Sequence, residues 1–206
     1  MKTVIFSDTH LTPQFDLLKF KVLRSIIQDA DRVIINGDFW DGFFCSFGDF
    51  IESKWKYLFP LLKSKNTLYI GGNHDDENYV DDRHTLFSNS AVKSYILNTP
   101  DKQLVITHGH KIVRSMKSSP LAMLGNAFAE VIGPNFYKVS TLSNVKFRNF
   151  AQREMSSDRI LVTGHSHLFE FRPEDNFINT GYIDFGWAQY LIVEDEKIVY
   201  VNEKYR

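Results

Sequence analysis

The sequence predicts an α/β (α+β) fold with its functional site at the ends of several strands, and three observations carry that prediction. Short apolar runs rich in β-branched residues recur at Thr3–Phe6, Arg32–Asn36, Thr67–Ile70, Leu104–Thr107 and Ile160–Thr163. Each spans four or five residues and passes directly into polar residues, the pattern of a strand buried on both faces. Segments with helical spacing separate some of these runs, and the C-terminal stretch returns to short strands with turns.

In chain order, Thr3–Phe6 is the first expected strand. Leu17, Leu18, Val22, Leu23, Ile26 and Ile27 then recur near helical spacing, so Asp16–Ala30 is expected to be a helix packed on the sheet. After the strand Arg32–Asn36, the aromatic-rich stretch Phe47–Lys63 reads as a second helix. The strand Thr67–Ile70 leads to a polar stretch in which His84 is expected to be a loop residue. The strands Leu104–Thr107 and Ile160–Thr163 flank residues 111–157, and Asn176–Asn179, Ala188–Val193 and Ile198–Val201 suggest an antiparallel finish.

The segment Lys111–Ser157 stands apart. It holds seven basic and two acidic residues, a charge of +5, in a chain of net charge −1. Its apolar residues fit two or three amphipathic helices, with Gly133-Pro134-Asn135 as the expected turn. We read the chain as a single domain of residues 1–206 carrying a helical, lid-like insert at 111–157.

At 206 residues and 43% apolar composition the chain can bury a sizeable core. The near-neutral charge provides no overall field for nucleic acid or a membrane, and no nucleic-acid partner is expected. Cys45 is the single cysteine, which excludes an internal disulfide and leaves a small packing role as the expectation. The sequence shows neither a signal-peptide pattern nor an apolar run long enough to span a bilayer, so a soluble, cytoplasmic protein is expected.

Five ligand-rich blocks follow the strands: Asp8-Thr9-His10, Gly37-Asp38-Phe39-Trp40-Asp41, Gly72-Asn73-His74-Asp75, His108-Gly109-His110 and Gly164-His165-Ser166-His167. They contain six of the seven histidines. Imidazole, carboxylate and amide oxygen together form a donor set for Mn²⁺, Fe or Zn²⁺. Asp8, His10, Asp38, Asn73, His108, His165 and His167 supply the N/O inventory that two ions about 4 Å apart need. At an extended strand end, the spacing of Asp8 with His10 and of His165 with His167 would put each pair on one side. Glycines at 37, 72, 109 and 164 permit close backbone approach and unusual dihedrals. Asp75 and Asp76 are expected to be solvated or to lie behind the ligands, and Asn78 and Tyr79 are candidates for the mouth of the site.

The ordered set resembles the signature of the calcineurin-like metallophosphoesterases, and the resemblance covers Met1 to about Val201. It implies a four-layer β-sandwich flanked by helices and two divalent metal ions, with Mn²⁺ foremost and Fe or Zn²⁺ as alternatives. One ion would be held by Asp8, His10, Asp38 and His167, and the other by Asp38, Asn73, His108 and His165, with Asp38 bridging. His74, oriented by Asp41, would protonate the leaving oxygen. The implied reaction is hydrolysis of a phosphoester or phosphoanhydride by metal-activated water.

Within that superfamily the blocks look nearest to the UDP-2,3-diacylglucosamine pyrophosphohydrolases. The features are the Gly37–Asp41 block, the insert, and Phe177-Ile178-Asn179-Thr180-Gly181-Tyr182. The expected partner is then a phosphorylated small molecule or lipid-linked nucleotide, with His110, Arg114 and Lys117 as candidate substrate-binding residues. His110 is equally open to a solvent-facing role. The insert is open to three readings: a lid whose basic residues face a pyrophosphate, a structural subdomain, or a peripheral contact with the inner face of a membrane. Competing functions are a phosphodiesterase on small or nucleotide substrates, a nuclease, and a catalytically degenerate scaffold. A scaffold would be expected to have lost ligands, and all seven are present.

Overall fold

The computed structural model describes residues 1–76, 78–113, 141–195 and 197–206. The first strands are β1 (Lys2–Phe6), β2 (Arg32–Asn36), β3 (Leu68–Ile70), β4 (Ser90–Val92), β5 (Tyr95–Asn98) and β6 (Gln103–Ile106). They are followed by β7 (Arg159–Thr163), β8 (Glu170–Arg172), β9 (Phe177–Asn179), β10 (Ile183–Asp184), β11 (Trp187–Glu194) and β12 (Lys197–Lys204). The α-helices are α1 (Leu17–Gln28), α2 (Phe47–Glu52), α3 (Phe59–Ser64) and α4 (Thr141–Glu154).

The strands form a seven-stranded sheet, ordered β10-β11-β1-β2-β3-β4 with β12 also on β11, and a five-stranded sheet, ordered β5-β6-β7-β9-β8. Side-chain alternation explains how they stack. Ile5 and Ile34 of the first sheet meet Leu104, Ile106, Ile160 and Val162 of the second in one core between the sheets. Their neighbours Val4, Phe6, Val33 and Ile35 face the other way and pack under α1, α2 and α3. Leu161 and Phe177, on the outer face of the second sheet, pack against Phe147 and Ala151 of α4. The result is the expected four-layer order of helices, sheet, sheet and helix.

Several elements depart from the sequence reading. Asp16 caps α1, its carboxylate accepting from the N–H groups of Leu18 and Lys19 at 2.9 and 3.1 Å. Leu23, Ile26 and Ile27 are buried as expected, but Leu17 and Leu18 are exposed and Lys19 is buried in their place. The Lys19 ammonium donates to the Thr9 carbonyl and pairs with Asp184 at 3.1 Å, which compensates its burial.

The stretch expected as one helix from Phe47 to Lys63 is α2, a 3₁₀ segment Lys54–Leu58, and α3. Ser53 is extended and its hydroxyl accepts from the Trp55 N–H at 3.3 Å, so it stops one helix and caps the next. That break aims Trp55 into the core, where its indole N–H donates to the Thr12 carbonyl at 2.7 Å. His84 belongs to a 3₁₀ turn, Asp82–Leu86, rather than to a loop. The C-terminal strands do not finish as one antiparallel unit: β9 runs parallel to β7 in the second sheet, while β11 and β12 pair antiparallel in the first.

Of the segment 111–157, α4 is helical, with Asn144, Phe147 and Ala151 buried. Arg148 is ion-paired with Glu170 of β8, so this cation of the segment serves the fold. Residues 114–140, including Arg114, Lys117 and the Gly133-Pro134-Asn135 turn, lie outside the described residues. Among the described residues, no helix is long and apolar enough to cross a membrane.

Candidate metal centre

The loops after β1, β2, β3, β6 and β7 carry the candidate ligands, and those after β1, β2 and β7 have unusual backbones. Asp8, His10, Asp38, His165 and His167 all have positive φ, between 42° and 66°. A non-glycine residue in the left-handed region costs of order 1–3 kcal/mol and persists where the surroundings enforce it. The expected extended-strand geometry at Asp8–His10 and His165–His167 is therefore replaced by left-handed turns. β1 ends at Phe6, and the turn is held on the neighbouring loop: Asp8 N–H donates to Gly37 O at 3.0 Å, and Thr9 and His10 N–H donate to Asp38 O at 2.9 and 3.0 Å. Gly164 illustrates the close approach, since a Cβ there would overlap the Asp8 carboxylate and the Ser7 hydroxyl.

These turns gather the donors into groups. One ligand atom each from Asp8, His10, Asp38 and His167 lies within 4.8 Å of all the others, and the same holds for Asp38, His108 and His165. Asn73 joins the second group, its Oδ1 lying 3.3 Å from His108 Nε2. Asp38 belongs to both groups. His167 Nε2 lies 3.1 Å from Asp8 Oδ1, His108 Nε2 lies 3.1 Å from Asp38 Oδ2, and the Nε2 atoms of His10 and His167 face each other at 3.0 Å. Asp8, Asp38 and His108 are fully buried. Convergent imidazole nitrogens and buried carboxylates fit divalent cations, which would offset the like charges that burial otherwise penalises.

The outer partners set which nitrogen faces inward. His108 Nδ1 lies 2.8 Å from the Asn36 carbonyl, to which it donates, leaving Nε2 directed at Asp38. Asp41 holds two rings, with Oδ2 at 3.2 Å from His10 Nδ1 and Oδ1 at 2.9 Å from His74 Nδ1. Asp75 is buried and accepts from the N–H groups of Asp38, Phe39 and Gly72 at 2.9, 2.7 and 2.6 Å, so it braces the Asp38 loop from behind. His74 N–H donates to Asp38 Oδ1 at 2.9 Å.

A second brace holds the loop bearing His165 and His167. Buried Asn179, at the end of β9, donates to Gly164 O at 2.8 Å and contacts Ser166 Oγ at 3.0 Å. Ser166 Oγ donates to Asn144 Oδ1 at 2.6 Å, and Asn144 Nδ2 donates to Leu168 O at 2.8 Å. Asn144 thus fastens α4 to the ligand loop. Sequence reasoning missed this role for Asn144 and the role of Lys19 under Thr9, because an isolated Asn or Lys within a helical stretch carries no local signal. Asp75 did have one, since it closes the Gly72–Asp75 block.

Electrostatics follow the same contacts. Burial raises the Asp38 carboxyl, but His108 and His74 outweigh it and hold it well below the usual range. Burial likewise opposes a charged His108, yet Asp38 and Asp8 raise it to about 10. His165 is pushed down to about 3 by burial and by the charge of His108. Asp75 is raised to about 6 by burial and by its neighbour Asp38. His74 is raised by Asp38 and Asp41 against the effect of its own burial.

Among the candidate substrate contacts, His110 sits beside the second group, its ring 5.6 Å from that of His108. Its Nδ1 is buried and has no hydrogen-bond partner among the described residues. Tyr79 lies near His74 through the ring of Phe43, whereas the side chain of exposed Asn78 turns to Asp76. Half-buried Cys45 packs against the helix-side core, and its thiol is pushed up to about 11 by burial and by Asp41 and Asp49.

Two sheets in four layers, with clustered Asp and His residues on the loops after the strands, define an α/β fold with a candidate metal site, and comparison with known proteins gives the family. Residues 1–194 match the calcineurin-like phosphoesterase superfamily domain, and the chain belongs to that superfamily. Its fold is similar to that of YfcE, a phosphoesterase from E. coli, with TM-score 0.51, 16% identity and 100% of both chains covered. It is also similar to wild-type Vps29 complexed with Zn²⁺ from Entamoeba histolytica, with TM-score 0.50, 13% identity and 100% of both chains covered. Comparison with curated proteins gives no match.

Proposed function

We propose that the chain is a dinuclear-metal-dependent phosphoesterase. The observation that carries this reading is the pair of donor groups sharing Asp38, with His74 and Asp41 beside them. Asp8, His10, Asp38 and His167 would hold one ion and Asp38, Asn73, His108 and His165 the other. When bound, such ions supply Lewis acidity at the phosphoryl oxygens and lower the pKa of a water. The protein's own residues do the rest. Asp41 fixes His74 through Nδ1, leaving Nε2 to give its proton to the departing oxygen. Asp75 and Asn179 hold the two ligand loops in their strained form, so little reorganisation remains at the moment of reaction.

For the substrate we infer a phosphoester or phosphoanhydride carried on a nucleotide-linked lipid of the UDP-diacylglucosamine kind, with the part of the 111–157 insert that precedes α4 as the lid and His110, Arg114 and Lys117 as its contacts. Support comes from the basic and apolar residues of the 111–157 insert, +5 in all, which suit a phosphate and acyl chains together, although Arg148, Phe147 and Ala151 are taken up by the fold. Phe39 and Trp40, part of the resemblance to that branch, are buried in the helix-side core and contribute packing instead.

The test is Mn²⁺-dependent hydrolysis of UDP-diacylglucosamine beside its deacylated counterpart and a simple aryl phosphodiester. Turnover favouring the acylated substrate is the expected result. Turnover of the aryl diester with no acyl preference keeps the metal chemistry and removes the lid.

A further inference from the structure

We propose that Phe43, with Tyr79 at its edge, is a specificity-determining residue that forms a shelf for a planar aromatic group on the departing side of the substrate. The Phe43 ring lies 4.0 Å from the His74 imidazole, centroid to centroid, at an interplanar angle of 33°. Tyr79 meets Phe43 edge-on at 5.7 Å and 66°. His74 is 7% exposed, whereas Phe43 and Tyr79 are 36% and 39% exposed, so two large rings face solvent beside a buried imidazole. On the same loop Phe39 and Trp40 are consumed by the core, whereas Phe44 is exposed.

The shelf is fixed in place. Asp41 Oδ1 accepts from both the Phe43 N–H at 3.0 Å and His74 Nδ1 at 2.9 Å, so one oxygen positions the stacking ring and the proton donor together. The N–H groups of Phe44 and Cys45 donate to Asp41 O at 3.2 and 3.1 Å, closing the turn that presents Phe43. Gly42 N–H donates to His74 O at 2.9 Å and joins this turn to the loop bearing Tyr79. A Cβ at Gly42 would come within 2.9 Å of the Tyr79 ring, so the missing side chain is what lets Tyr79 close on Phe43. A preformed surface of this kind binds without the cost of ordering its side chains.

The assignment to the departing side rests on the reading of His74 given above. In that reaction water supplies the hydroxyl that joins phosphorus, and the P–O bond to the leaving group breaks with its electron pair going to oxygen. The His74 proton goes to that oxygen, and the proton lost by water returns to the imidazole through solvent. Whatever is attached to the leaving oxygen therefore emerges beside His74, where Phe43 stands. Two rings at a steep angle offer both a face and an edge, the arrangements aromatic partners prefer. An aryl group and a nucleobase share this chemistry.

The test uses the manganese-loaded full chain and phosphodiesters that differ only in the leaving group. One releases phenol, one releases a fluorinated alkyl alcohol of matched acidity, and one releases a nucleoside. Wild type is expected to prefer the phenyl ester over the fluoroalkyl ester. Phe43→Ala and Phe43→Leu should each lower kcat/KM for the phenyl ester roughly tenfold, and for the fluoroalkyl ester by about twofold or less. Tyr79→Ala should shift the same ratio in the same direction. A parallel loss on the nucleoside ester assigns the shelf to nucleobases as well; an unchanged nucleoside rate restricts it to simple aryl groups. As a readout apart from turnover, calorimetric affinity for phenylphosphonate should fall in the variants while that for methylphosphonate holds. Thermal midpoint and metal content should match wild type, which separates stacking from misfolding. Equal losses on phenyl and fluoroalkyl esters, or no preference in wild type, would overturn the shelf and leave the hydrolase reading intact. Absence of turnover on every ester would sink the hydrolase reading itself.

Discussion

Asp38 is the residue on which both donor groups depend, and its removal separates the two-metal account from any one-metal alternative. Asp38→Asn is expected to abolish the second equivalent of bound metal. Activity should fall by more than the roughly 10–100-fold that loss of an outer partner costs. Full activity with two bound metals, read by elemental analysis beside kinetics, contradicts the assignment. His74→Ala makes the complementary case: both metals stay, and the rate falls roughly 10²–10⁴-fold, least for esters with good leaving groups. Loss of metal from that variant would make His74 a ligand. All seven candidate ligands were legible in the sequence because each block is a local run of three to five residues placed just after an apolar strand. Their conformation was not. The left-handed φ of Asp8, His10, Asp38, His165 and His167 comes from hydrogen bonds between loops far apart in the chain, such as Thr9 to Asp38, which no local pattern encodes.

The elements matter through how they brace those loops. α4 reaches the loop of His165 and His167 through Asn144, and β9 reaches it through Asn179. Asn144→Ala strands polar groups in a buried network, at a cost of roughly 1–3 kcal/mol. It should weaken metal binding roughly 10–100-fold as well. Unchanged metal affinity by competitive titration would confine Asn144 to packing. Asp16 offers a test remote from the site. Burial raises its carboxyl, but the Lys19 N–H and the charge of Arg206 together outweigh that and hold it below the usual range. The stability it contributes is therefore complete above the ordinary carboxylate pKa and is lost as pH falls through the lowered folded value. Asp16→Asn keeps a helix cap and removes the charge, so its deficit in urea midpoint against wild type should shrink on acidification. At this scale eight of the described strands were legible from their apolar runs, whereas the short strands β4, β5, β8 and β10 were not read. Ser53 was not read as a break, because serine is tolerated inside helices until the burial of Trp55 decides otherwise.

The whole molecule is two sheets closed on a shared aliphatic core, with the donors collected where loops from both sheets meet. The four-layer order followed from family resemblance more than from periodicity, since strands buried on both faces do not declare which layer each face meets. Because the ligands come from both sheets, binding ions to the folded state alone should stabilise the whole chain by about 2.7 kcal/mol at a free metal concentration one hundred times Kd. The thermal midpoint is expected to rise with Mn²⁺ or Zn²⁺ and to fall on chelation; an unmoved midpoint would argue that no cation binds the folded chain. The most direct test of the central claim is reconstitution of the chelated protein with Mn²⁺ while hydrolysis of an aryl phosphodiester is followed. Activity that appears with metal and saturates at two equivalents per chain is the predicted result. Activity that survives chelation, saturates at one equivalent, or never appears with any divalent cation would contradict it.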